Sequence, residues 1–153
     1  MSIEQNINKI KEEIPEDVQI VAAAKTRSAQ KIRDTVEAGV NIIGENYIQE
    51  MEKRIAELDN VEDKIEWHVI GHLQTNKINR ALRHCDCIQT VESEKKARAV
   101  NKRVPKADRE ILPVLIEVNI GDEESKFGVD PNFNKIKNLA KKIAKDGEGA
   151  EHL

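Results

Sequence analysis

Aromatic residues make up only 3% of this 153-residue chain: one Trp, one Tyr and two Phe. Its core must therefore be built from Ile, Val, Leu and Ala, and it has too few rings for the stacking platforms on which single-stranded nucleic acids bind. A basic excess is missing as well. Twenty-five Lys and Arg stand against 28 Asp and Glu, for a formal charge of −3, so the electrostatic footprint of phosphate-backbone binding is absent. No window approaches the roughly eighteen uninterrupted apolar residues that a membrane span needs. Residues 1–14 are charged and amphipathic rather than a basic region followed by an apolar one, so no secretion signal is read there. The two cysteines, Cys85 and Cys87, cannot build a disulfide framework. One residue apart on a strand, they would point to opposite faces. These absences lead us to expect one domain, in the cytoplasm, with neither nucleic acid nor a membrane as partner.

What is present is an alternation. Ile3, Ile7, Ile10 and Ile14 recur at helical spacing and stop at Pro15. Val18 to Ala24 is a short apolar run of strand length ending at Lys25. Ser28 can cap a helix that carries Ile32 and Val36 and that ends before Gly39. The unit then repeats. Val40–Ile43, Ile65–Ile70, Cys85–Val91 and Ile111–Ile120 read as strands, and helical stripes follow through Ile48–Leu58, Ile78–Leu82, Ser93–Arg103 and Pro131–Lys145. Five strands alternating with helices predict βαβ units, a parallel sheet and an α/β class. Alternation alone does not separate a doubly wound sheet from a (β/α) barrel. The Rossmann alternative loses its main support, because no G-x-G-x-x-G follows the first strand.

Chemistry-bearing residues collect at the predicted strand ends. Lys25 directly follows an apolar strand, where desolvation lowers an amine's pKa and frees it as a nucleophile for Schiff-base formation. The local pattern alone favours the plainer reading, a snorkelling lysine at a strand end. Asn46, in Gly44-Glu45-Asn46-Tyr47, is either a ligand group at a strand end or the N-cap of the next helix. The stretch from Trp67 to Lys77 is dense in donors and acceptors. His68 and His72 are four apart, but Val69, Ile70 and Gly71 indicate strand and loop rather than the helix that a metal pair needs. His68 is therefore read as a buried, hydrogen-bonded histidine. Asn119 ends the fifth run, and Ser125-Lys126-Phe127-Gly128 follows it. Glu117 points inward or outward according to a register that the sequence leaves open. Cys85-Asp86-Cys87 lacks a second ligand pair and reads as core thiol. The Lys and Arg runs at 95–103 and 135–145 read as solvated helix faces.

Taken together, V-A-A-A-K-T-R at 21–27, G-E-N-Y-I-Q-E at 44–50, W-H-V-I-G-H-L-Q-T-N-K at 67–77 and V-N-I-G-D-E-E-S-K-F-G at 118–128 resemble the pyridoxal phosphate homeostasis family in order and spacing. Ala24 stands where many relatives have serine. The resemblance implies a (β/α) TIM-barrel-type fold of the fold-type III PLP proteins, similar to the N-terminal barrel of alanine racemase. It also implies pyridoxal 5'-phosphate (PLP) as cofactor, held as a Schiff base on Lys25, with Asn46, His68 and Asn119 lining the pocket. It implies no catalytic residue and no metal. In the family the phosphate is held by late serine-rich and glycine-threonine segments that have no counterpart in this sequence.

A closed barrel needs eight strands and typically about 250 residues. Residues 1–153 are therefore expected to form a single PLP-binding domain with about five of eight strands, incomplete at its C-terminus. The function implied is non-catalytic: buffering PLP and delivering it to PLP-dependent apoenzymes. The alternatives are a PLP-dependent amino-acid racemase, which needs a second acid/base on the opposite cofactor face, or a shortened form that binds PLP weakly or not at all.

Overall fold

The computed structural model describes residues 1–58, 64–121, 123, 126–144 and 152–153. Ser125 and the expected C-terminal stretch 146–150 lie outside the described residues. The chain opens with α1 (Ile3–Glu13), where a capping box joins the Ser2 hydroxyl to the Gln5 amide N–H and the Gln5 side chain to the Ser2 N–H. Such a box satisfies two of the orphan donors at a helix start. Five βα units follow: β1 (Val21–Ala23), α2 (Ala29–Glu37), β2 (Ile42–Glu45), α3 (Ile48–Glu57), β3 (Glu66–Val69), α4 (Ile78–Ala81), β4 (Cys87–Val91), α5 (Glu94–Asn101), β5 (Val114–Ile116) and α6 (Phe133–Ile143). Ser28, Ser93 and Asn132 cap α2, α5 and α6 through their side chains.

All four strand pairings are parallel, and the sheet order is β1-β2-β3-β4-β5. That order decides the architecture. A doubly wound sheet reverses direction at a switch point, whereas here each strand lies beside its sequence neighbour, as in a (β/α) barrel. Among the described residues β1 and β5 are free edges, so the five strands form an open barrel wall.

The core lies between that wall and the helices. Ile43, Trp67, Val69 and Ile88 from the strands meet Ile32, Met51, Ile78 and Val100 from the helices in one buried cluster. Strand side chains alternate between faces, so the other, concave face carries Ala23, Gly44, His68 and Cys87 in one row, paired across β1 to β4. Ala23, Glu66 and Leu115 on this face are exposed. Val114 and Ile116 pack toward the core, which turns Glu117 to the concave side and settles its register.

The strands are shorter than the apolar runs implied. Val18 to Ile20 precede β1, Val18 being exposed, and Ile111 to Pro113 precede β5, where the Pro113 carbonyl meets β4, accepting from the Ile88 N–H at 3.2 Å. Asn119 lies three residues beyond β5, in a loop tied back by a Val118–Val129 bridge. Among the described residues no helix is long and apolar enough to cross a membrane.

Candidate functional site

Parallel sheets of this kind place ligand groups at the C-terminal ends of their strands, so the rim loops after β1, β2, β3 and β5 are where chemistry is sought. Lys25 sits in a tight turn closed by the Arg27 N–H donating to the Ala24 carbonyl at 2.9 Å. The next residue, Thr26, has φ of +63°, a left-handed conformation that costs a β-branched residue on the order of 1–2 kcal/mol. Lys25 itself is exposed. The burial from which the sequence reading drew a desolvated amine is therefore not present in these residues, and what the fold supplies instead is access.

Asn46 occupies the corresponding rim position after β2. The sequence reading offered it as an N-cap, but the cap position is Tyr47, which makes no side-chain cap hydrogen bond. The Asn46 amide is thereby left for the rim. Gly71 explains how tightly the rim is drawn together: a Cβ there would lie 2.5 Å from the Asn46 carbonyl oxygen, so the β2 and β3 loops touch backbone to backbone.

His68 lies in the row below the rim, buried on the concave face. The Gln89 Nε2–H donates to its Nδ1 at 2.7 Å, and its Nε2–H faces the Glu66 carboxylate at 2.7 Å. Both ring nitrogens are engaged, so His68 shapes the floor rather than offering a free donor. Trp67, its neighbour, faces the helices and belongs to the core. Asn119 is also committed, because its amide donates to the Glu123 carbonyl at 2.9 Å and closes its own loop.

The structure thus brings the four expected residues to one end of the sheet but into no common cavity. Asn46 lines a rim cavity with His72 and Phe127. Asn119 lines another with Glu117 and Phe127. Lys25 lines neither.

Three groups take roles that the sequence does not predict: Glu45 and Phe127 lie in stretches already singled out, and Lys96, expected on a solvated helix face, is buried. Glu45 is 1% exposed, and one carboxylate oxygen has no partner among the described residues. Burial raises its pKa, and the Arg54 guanidinium works against that. Lys96 is buried and donates from Nζ to the Leu73 carbonyl. Phe127, from the β5 loop, stacks on His72 with centroids 3.7 Å apart. An acidic residue closing an apolar strand was a visible signal for Glu45, as was the four-residue spacing of Glu92 and Lys96 for the second group. Nothing local marked the Phe127 contact.

With this geometry in view, comparison with known proteins is decisive at the level of the family. Residues 1–151 match the alanine racemase N-terminal domain. The chain belongs to that family. Within it, the chain is 37% identical over 153 residues to a pyridoxal phosphate homeostasis protein of Pasteurella multocida, covering 94% of this chain and 64% of that protein. PipY of Synechococcus elongatus PCC7942, determined without PLP, superposes with a TM-score of 0.80 at 29% identity over 93% of this chain and 63% of that one. The same protein with PLP bound gives 0.75 at 28% identity. An alanine racemase of Clostridium difficile 630 shares the fold at a TM-score of 0.67 with 16% identity, covering 91% of this chain and 36% of its own. The chain therefore spans just under two thirds of the length of these homeostasis and PipY relatives, and its open five-stranded wall is the family's barrel fold in part.

Proposed function

We propose that this chain is a pyridoxal 5'-phosphate-binding protein of cytoplasmic PLP homeostasis in which Lys25 holds the cofactor. The observation that carries the reading is the Lys25 amine itself. It stands exposed at the C-terminal end of the first strand of an alanine-racemase-type sheet, inside the motif Ala22-Ala23-Ala24-Lys25-Thr26-Arg27, with no carboxylate paired to it among the described residues. PipY, which superposes on this chain, is known with PLP bound.

PLP supplies an aldehyde that condenses with a primary amine and exchanges onto another one. The residues present suit that group. An accessible lysine presents the amine, the turn at Thr26 fixes its backbone, and Asn46 offers an amide at the adjacent rim position. His68, locked between Glu66 and Gln89, keeps the concave floor polar. Asn119 holds the loop after β5 in place rather than reaching toward Lys25. An exposed amine suits a carrier that releases its cargo to PLP-dependent apoenzymes better than it suits an enzyme that must exclude water. For that reason we place the chain with the carriers rather than the racemases.

The test is a visible absorbance titration of the full chain with PLP, followed by borohydride reduction and peptide mapping, on wild type and Lys25→Ala. A pyridoxyl adduct on Lys25 that the variant lacks is the expected result. Labelling scattered over surface lysines would overturn the assignment, and racemisation of alanine by the PLP-treated protein would overturn the non-catalytic reading.

A further inference from the structure

The rim cavity between the ends of β2 and β3 has a volume of about 380 Å³, within the roughly 300–1,000 Å³ of small-molecule sites. Its walls come from three separate rim loops. Asn46 and Gln49 stand on one side, Gln74 and Lys77 on the other, and the stacked pair of His72 and Phe127 closes the end. Buried Ile48 and Leu73 form an apolar floor.

The charge pattern of this lining is specific. It contains one ammonium, three primary amides and an imidazole, and no carboxylate. Lys77 has no ion pair or hydrogen bond to its ammonium among the described residues. Because Tyr47 makes no side-chain cap hydrogen bond, the first-turn N–H groups of α3 add a partial positive charge on the same side. A carboxylate finds an ammonium and amide donors here. An ammonium on the same ligand would find no anion in the lining and would be repelled by Lys77 and by the positive end of α3.

We propose that this cavity is a second ligand site that takes a small carboxylate lacking an ammonium group, and that it discriminates against the corresponding amino acid. Lys77 pairs with the carboxylate, the amides of Asn46, Gln49 and Gln74 orient it, and the apolar floor takes the carbon chain. Phe127 reaches over from the β5 loop to stack on His72 and walls the cavity on that side. Lys25 is not part of the lining, while Asn46 is shared with the cofactor reading, so the two sites are neighbours on the rim that Lys25 and Lys77 tell apart.

Succinate and aspartate differ by one ammonium group and serve as probes. Titration of the full, isotope-labelled chain by NMR is expected to show succinate shifts confined to residues 46–49 and 71–77, with aspartate binding at least about tenfold weaker. Lys77→Met should weaken succinate binding about tenfold or more, while Lys77→Arg keeps it within about threefold, which separates lost charge from lost fold. Lys25→Ala should leave succinate binding unchanged, and Lys77→Met should leave PLP labelling at Lys25 unchanged, so either reading can fail alone. Equal affinity for aspartate, equal affinity in Lys77→Met, or displacement of succinate by equimolar inorganic phosphate would overturn the proposal.

Discussion

His68 and Gln89 face one another across β3 and β4, with the Gln89 Nε2 and His68 Nδ1 2.7 Å apart. An amide N–H can only donate, so Nδ1 accepts and the imidazole proton resides on Nε2, which faces the Glu66 carboxylate. Three side chains on the concave face therefore form one directional chain whose middle member is buried.

The first expected outcome follows from that direction. Gln89→Leu keeps the bulk but strands a buried acceptor, at a cost of about 1–3 kcal/mol. Urea unfolding of the two proteins measures the loss, and an imidazole nitrogen spectrum should show the tautomer preference relaxing. A variant as stable as wild type would mean that water replaces the amide without cost.

How much of this was legible beforehand differs by level. The alternation of β1 to α6 was readable because buried parallel strands are short apolar runs and amphipathic helices carry stripes such as Ile48, Met51 and Ile55. Strand ends were not, because Val18 and Ile111 are apolar yet exposed, and pairing rather than hydropathy sets the limit of β1 and β5. At the site, position along the chain located Lys25 and Asn46 on the rim. It could not show that Asn119 spends its amide on Glu123, or that His68 spends both nitrogens on Glu66 and Gln89. Those are choices among partners, and partners are brought together only by the sheet. The exposure of Lys25 fits the snorkelling reading rather than the desolvated one: an apolar run predicts a buried strand, but burial of the residue after it depends on which elements cover the rim.

The second outcome concerns Glu45, buried beneath the start of α3. Burial is the leading cause of its raised pKa, opposed by the Arg54 charge and by the Asn46 N–H, with Glu50 adding to the rise. A carboxyl whose folded pKa lies above its unfolded value contributes stability that is complete below the unfolded pKa and is lost as pH rises through the folded one. Wild type should accordingly lose part of its stability between about pH 4.5, the ordinary glutamate value, and neutrality. Glu45→Gln removes the titration and should be at least as stable as wild type at pH 7. The difference between them should close as the solution is acidified below the ordinary value. Denaturant midpoints at a series of pH values measure this, and a variant that is less stable at pH 7 would show that Arg54 outweighs the burial.

The third outcome turns on Lys96. Its ammonium donates to the Leu73 carbonyl in the β3–α4 loop and lies 3.5 Å from the Glu92 carboxylate. Glu92 and Glu117 each keep one buried oxygen without a partner among the described residues. Glu117 has its pKa raised, first by burial and next by the Glu92 charge, while His72 and Lys96 pull it down. One buried cation thus serves two carboxylates and also fastens the loop that follows β3. Lys96→Met preserves the methylene stem but leaves the acids facing each other, and breaking a buried pair from one side costs about 3–5 kcal/mol, a large share of the roughly 5–15 kcal/mol that holds a domain folded. Lys96→Arg should recover most of the loss. Without the cation, protonation is the remaining way to relieve the acids, so the variant should regain stability relative to wild type as pH falls from 7 toward 4.5. If the deficit is instead the same at both pH values, the lysine acts by packing its stem, and the loop is held by contacts other than this charge.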